Sequence, residues 1–189
     1  MMSFNKSNNI IGWAIGLLAS LVYILTAEPT ASFWDCGEYI ATAYKLQVGH
    51  PPGAPLFQLI GRFFSLFAFG NEHLVARMIN YMSAISSGMS IMFLYWSIVM
   101  LAQKLFNSEK LAEKATQIAV AGAGIVGAAA YTFSDSFWFS AVEGEVYAMS
   151  SFFTAVVFWA MLKWERNADN PTSTRWIILI AYLMGLSVG

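Results

Sequence analysis

The sequence predicts an all-α, multi-pass membrane protein, a bundle of apolar helices joined by polar loops. Three observations predict it. The 189-residue chain is 58% hydrophobic and 11% charged, with a mean hydropathy of +0.57, whereas a soluble domain carries about a quarter charged residues. Charge-free runs long enough to cross a bilayer recur along it. Its basic residues gather on alternate connecting segments, as cytoplasmic loops require.

The first run, residues 10–27, is longer than the apolar core of a usual signal peptide, and no small-x-small cleavage site follows it. It reads as a retained anchor. A long segment, 28–77, comes next. Further spans are predicted at 78–103, bounded by Arg77 and Lys104, at 115–134, bounded by Lys114 and Asp135, and at 146–162, bounded by Glu145 and Lys163. A fifth run opens at Trp176 and is still apolar at Gly189. It has no stop signal, so the sequence is expected to be the N-terminal part of a longer membrane domain, inactive by itself. The run AVAGAGIVGAAA (119–130) is rich in small residues that let helix backbones approach closely in lipid.

Orientation follows from lysine and arginine. With the N-terminus in the cytoplasm, Lys6, Lys104, Lys110, Lys114, Lys163, Arg166 and Arg175 lie inside, and Lys45, Arg62 and Arg77 lie outside. The carboxylates Glu28, Asp35, Glu38, Glu72, Asp135, Glu143 and Glu145 fall outside. The stretch at 54–69 is apolar at helical spacing through Leu56, Leu59, Ile60, Phe63 and Phe67. As a span it would invert every later loop and bury Arg62 at a cost of roughly 2.5–3.5 kcal/mol. It is better read as an amphipathic helix lying on the outer membrane surface.

A net charge of −1 gives no sign of nucleic-acid binding. The single cysteine, Cys36, has no internal disulfide partner and reads as a packing residue.

Four groups of residues carry candidate chemistry. Asp35 and Glu38 stand three apart, so a helix places them on one face. They either decorate the start of a helix capped by Ser32, or act as a partly desolvated base at the membrane face. The motif GHPPGAP gives a rigid turn through Pro51 and Pro52. His50 in it is either a turn residue or a partner for a phosphate oxygen or a carboxylate. Asp135, Glu143 and Glu145 cluster in the second outer loop with no basic residue. They either favour the next helix start or form an acidic wall able to hold a divalent cation or a substrate hydroxyl. Lys45, Arg62 and Arg77 either snorkel to lipid headgroups or bind a lipid-linked phosphate.

The order of these features is similar to the GT-C class of membrane glycosyltransferases. Its protein O-mannosyltransferases carry W-D-E followed by H-P-P-L-G. Here Trp34-Asp35 is followed by a displaced Glu38, then by His50-Pro51-Pro52-Gly53. More closely, WDCGEYIATAYKLQVGHPPGAPLF and AVEGEVYAMSSFF resemble a bacterial membrane family known as a domain of unknown function and related to protein O-mannosyltransferases. The resemblance implies a GT-C-like helical bundle in a bacterial inner membrane. It implies inverting transfer of a mannose-like sugar from a polyprenyl-phosphate carrier to a hydroxyl of an acceptor protein, on the outer face. Asp35 would be the general base, and Glu38 would orient it or bind the acceptor. The D-E pair is split here, which leaves open which carboxylate is the base. His50, Arg62, Arg77 or a cation held partly by Glu143 or Glu145 would stabilise the leaving phosphate. The competing classes are a transporter or flippase and a non-catalytic envelope scaffold. Charge-free spans count against ion coupling.

Overall fold

The computed structural model describes residues 4–51 and 53–187. Pro52 of the turn motif and the last two residues of the fifth apolar run lie outside the described residues. Nine α-helices follow one another among them: α1 (Phe4–Thr26), α2 (Cys36–Lys45), α3 (Pro55–Ser65), α4 (Glu72–Gln103), α5 (Ser108–Ala112), α6 (Lys114–Thr132), α7 (Asp135–Ala141), α8 (Val146–Arg166) and α9 (Thr174–Ser187). No strand occurs among the described residues. Helices α1, α4, α6 and α8 are long and apolar enough to cross a membrane, so the chain is an all-α, multi-pass membrane protein.

Helix α4 is the most buried of the four and forms the mast of the bundle, with α1, α6 and α8 packed around it. The α1–α4 crossing is set by small residues. A Cβ at Gly88 would fall into Ser20 and lie 2.8 Å from the Gly16 carbonyl, and one at Gly16 would meet Met92 Cβ at 2.9 Å. Both backbones approach as only glycine allows. Helix α6 uses its small residues the same way, with Gly124 against Tyr95 and Val99 of α4 and Ala128 fully buried.

The segment between α1 and α4 folds into two helices over the start of α4. One apolar cluster joins Tyr39 and Ile40 of α2, Phe57 of α3, Ile79 and Met82 of α4, and Met149 and Phe153 of α8. Two polar clips hold α3 to α2. Gln58 Nε2 donates to Thr42 Oγ1 at 2.7 Å, and Arg62 Nη1 donates to the Tyr44 carbonyl at 2.7 Å, with its guanidinium over the Tyr44 ring. Leu59, Phe63 and Phe67 remain exposed on the other face of this region.

Boundaries differ from the sequence expectation in three places. Helix α4 begins at Glu72, capped by the Asn71 side chain accepting from the His73 N–H, so Arg77 lies inside a helix rather than in a loop. Residues 135–141 form a short helix, where a loop was expected. Ser32 does not cap α2. Trp34 takes a left-handed conformation, φ 60°, which turns the chain so that Asp35 occupies the cap position and Ser32 is left outside it.

Candidate functional site

The segment between α1 and α4 is tied to the rest of the fold by backbone groups. Asn80 Nδ2 of α4 donates to the carbonyls of Glu28 and Thr30, at 2.6 and 3.0 Å. The Glu28 N–H donates to the Val142 carbonyl at 2.9 Å. Gly144 sits against Asn80 so closely that a Cβ would lie 2.9 Å from its Oδ1. One buried amide thus fixes the exit of α1 beside the link between α7 and α8.

This arrangement brings Asp35, His50 and Glu145 to a single cavity of about 390 Å³, walled by Tyr39, Phe57 and Tyr147. Glu38 stands beside its rim. The Glu38 carboxylate holds His50 at two points, accepting from the His50 backbone N–H at 2.7 Å and facing its Nδ1 at 3.1 Å. A carboxylate only accepts, so Nδ1 carries the hydrogen and Nε2 points away from Glu38. Nε2 lies 3.8 Å from Asp35 Oδ2. The imidazole also leans on the Tyr39 ring, with centroids 5.9 Å apart. The bonds from His50, the backbone N–H first, hold the Glu38 carboxyl below its ordinary value.

Glu143 and Glu145 are buried although both are carboxylates. Loss of solvation pushes the Glu145 carboxyl up, and the nearby Glu143 and Asp35 push it further, against a bond from the Asp35 N–H. Glu143 is pushed up by loss of solvation and partly relieved by a bond from Ser32. One of its oxygens, Oε2, has no partner. Cys36 is fully buried beneath this layer, and burial raises its thiol, which makes it a packing residue rather than a nucleophile.

The expected site residues divide accordingly. Asp35, Glu38, His50 and Glu145 are brought together. Glu143 lies behind Glu145. Asp135 is exposed in the first turn of α7 and does not line the cavity. Lys45, Arg62 and Arg77 do not line it either, and Arg62 is occupied by Tyr44. The groups able to hold a divalent cation are Asp35, Glu38 and His50, whose candidate ligand atoms all lie within 4.8 Å of one another. Two carboxylates and an imidazole suit such an ion. Tyr39 was not singled out as a site residue, although its four-residue spacing from Asp35 puts both on one face of a helix. Tyr147 and Ser150, inside the AVEGEVYAMSSFF motif, and Ser187 also line the cavity, and none of the three was singled out from the sequence.

Comparison with known proteins gives these residues a context. Residues 35–189 match the family model described as the protein O-mannosyl-transferase TMEM260 N-terminal domain. The chain is 29% identical over 177 residues to "Protein O-mannosyl-transferase tmem260" of Dictyostelium discoideum, covering 89% of this chain and 19% of that protein. It is 25% identical over 178 residues to "Protein O-mannosyl-transferase TMEM260" of Mus musculus, covering 93% of this chain and 23% of that protein. The chain therefore spans about a fifth of the length of these relatives. No solved structure matches it. The resemblance to protein O-mannosyltransferases is thus upheld through eukaryotic relatives rather than through a bacterial family. The match begins at Asp35, which lines the cavity, and runs to the last residue, and on it the chain belongs to the family of the protein O-mannosyl-transferase TMEM260 N-terminal domain.

Proposed function

We infer that this chain builds the outer-face catalytic end of a membrane glycosyltransferase of GT-C type. The enzyme moves a mannose-like sugar from a polyprenyl-phosphate donor to a protein hydroxyl. The observation that carries the reading is the meeting of Asp35, His50 and Glu145 at one cavity, where the chain leaves its first apolar helix. The relatives' printed names supply the reaction class.

In this reading the Asp35 carboxylate takes the proton of the acceptor hydroxyl as its oxygen attacks the anomeric carbon. The bond from that carbon to the phosphate oxygen breaks, and the electron pair leaves with the carrier phosphate. Attack from the face opposite the leaving group inverts the anomeric centre. Asp35 suits the base role better than Glu38, because both Glu38 oxygens are engaged by His50. Glu38 is then a positioning residue that presents the Nε2 edge of His50 to the cavity, and with both ring nitrogens protonated the imidazolium donates from Nε2 to the leaving phosphate. Glu145, whose carboxyl is pushed up by loss of solvation, lines the same cavity and stands where a hydroxyl of the sugar or the acceptor would enter. A divalent cation on Asp35, Glu38 and His50 would supply charge for the leaving phosphate in the same place.

Charge distribution supports a cytoplasmic N-terminus. Lys104 at the end of α4 meets Glu165 at the end of α8, so the basic ends of these helices coincide, opposite the acidic cavity. The chain is then a bacterial-type inner-membrane protein, or its equivalent in another membrane, with the cavity facing outward.

The test uses the full-length protein in its native host, comparing wild type with Asp35→Asn at equal membrane abundance. Loss of a defined hexose on Ser or Thr of envelope proteins, seen by mass spectrometry, is expected. Unchanged glycosylation would remove Asp35 as the base, and unchanged glycosylation after gene deletion would remove the transferase reading.

A further inference from the structure

The end of the bundle opposite the acidic cavity carries a second cavity, of about 330 Å³. Its lining comes from the first turns of α1, with Asn5, Asn8 and Asn9, and from the last turns of α4 and α8, with Gln103, Lys163 and Arg166. Trp96 and Trp159 complete its walls. Glycosyl transfer on the outer face makes no use of it.

We propose that this cavity is a binding site for a phosphate group, of the kind carried by a membrane lipid headgroup. Four observations carry the proposal. Two cations line the cavity and no carboxylate does. The adjacent carboxylate, Glu165, is paired with Lys104 and so is not the partner of either cation. The Lys163 ammonium is held over the Trp159 ring at 5.4 Å, and the Arg166 guanidinium is bonded to the Gln103 amide oxygen. The two are therefore fixed in place while their remaining N–H groups stay available. The Trp96 indole, donating to the Asn8 carbonyl at 3.4 Å, places an aromatic body and a polar edge together, as at a membrane–water boundary.

A guanidinium fork and an ammonium are the usual partners of phosphate oxygens. A lipid headgroup and a soluble phosphate ester share this chemistry. The site lies between the ends of three helices rather than on a single terminus, so headgroup and protein would meet where the acyl chains can run along the apolar faces of α1 and α8.

The experiment is native mass spectrometry of the detergent-solubilised full-length protein. The probes are dioleoyl phosphatidylglycerol and, separately, glycerol 3-phosphate. The variants are Lys163→Met, which keeps its stem on Trp159, Arg166→Gln, and the exposed Lys110→Gln as control. Each charge-assisted bond lost is expected to weaken lipid retention about tenfold. The Lys110 variant should retain lipid as wild type does, and thermal unfolding should show all variants folded. Competition by glycerol 3-phosphate identifies a site that reads the phosphate alone. Retention of lipid against it identifies a site that needs the whole lipid. Equal retention in wild type and both cavity variants, or an equal loss in the Lys110 variant, would overturn the proposal. Should one cavity variant fail to fold, the other decides the matter.

Discussion

Glu38 grips His50 at two points, its Oε1 on the backbone N–H at 2.7 Å and its Oε2 facing the imidazole Nδ1 at 3.1 Å. The grip fixes the ring's tautomer as well as its place. Glu38→Gln keeps one acceptor for the backbone N–H and loses the unambiguous acceptor for Nδ1. Transfer activity is expected to fall about tenfold to a hundredfold, by analogy with the range found when an orienting partner is removed from a metal-ligating histidine. Asp35→Asn, by contrast, removes the base and is expected to lower kcat by about 10² to 10⁴. Initial rates with a peptide acceptor separate the two. Equal losses would mean that Glu38 shares the base role.

Arg62 decides between a structural clip and a phosphate ligand. Its Nη1 already serves the Tyr44 carbonyl. Arg62→Gln is expected to lower stability by about 1–2 kcal/mol and to leave the KM for the lipid-linked donor unchanged. Thermal unfolding and donor titration read the two separately. A raised KM with unchanged stability would restore the phosphate role.

Buried Glu143 makes stability depend on pH. Its carboxyl is raised from an ordinary value of 4.5, so the folded chain keeps a proton that the unfolded chain has lost. Stability from this group is full below 4.5 and declines as pH rises through the window above it. Glu143→Gln removes its share of the decline, while that of Glu145 remains. Its melting temperature should match wild type near about pH 4 and exceed it by neutral pH. An advantage that is constant across pH would show that the carboxyl is not the cause.

The glycine crossing of α1 and α4 predicts a packing failure far from the site. A Cβ at Gly88 meets backbone atoms of α1 that have no room to yield. Gly88→Ala is expected to cost about 1–3 kcal/mol. Gly122, with open space around its Cβ position, should tolerate alanine. Heat inactivation of the two variants in the same membrane gives the comparison.

The sequence made the bundle legible because charge-free length and lysine placement are properties of a span by itself. It also made Asp35, Glu38 and His50 legible, since they lie within one short stretch. Glu145 could be named but not placed, because its approach to Asp35 depends on Asn80, whose partners are the carbonyls of residues 28 and 30. A carbonyl looks the same beneath every side chain. The same reason hid the use of Arg62, whose partner is also a carbonyl. The left-handed turn at Trp34 was illegible for another reason. Tryptophan has no preference for that conformation, so only the surrounding contacts hold it there. The small residues of α6 announced themselves as a run, whereas Gly16 and Gly88, which make the tighter crossing, stand apart in sequence and meet only when α1 and α4 lie side by side.

The Asn80 amide has a consequence for how the chain is strung. It holds the backbone just beyond α1, and the Glu28 N–H there is bonded in turn to the segment that leads to Glu145. Two stretches far apart in the sequence are thus moored to one post, and a cut at that post would slacken both lines at once.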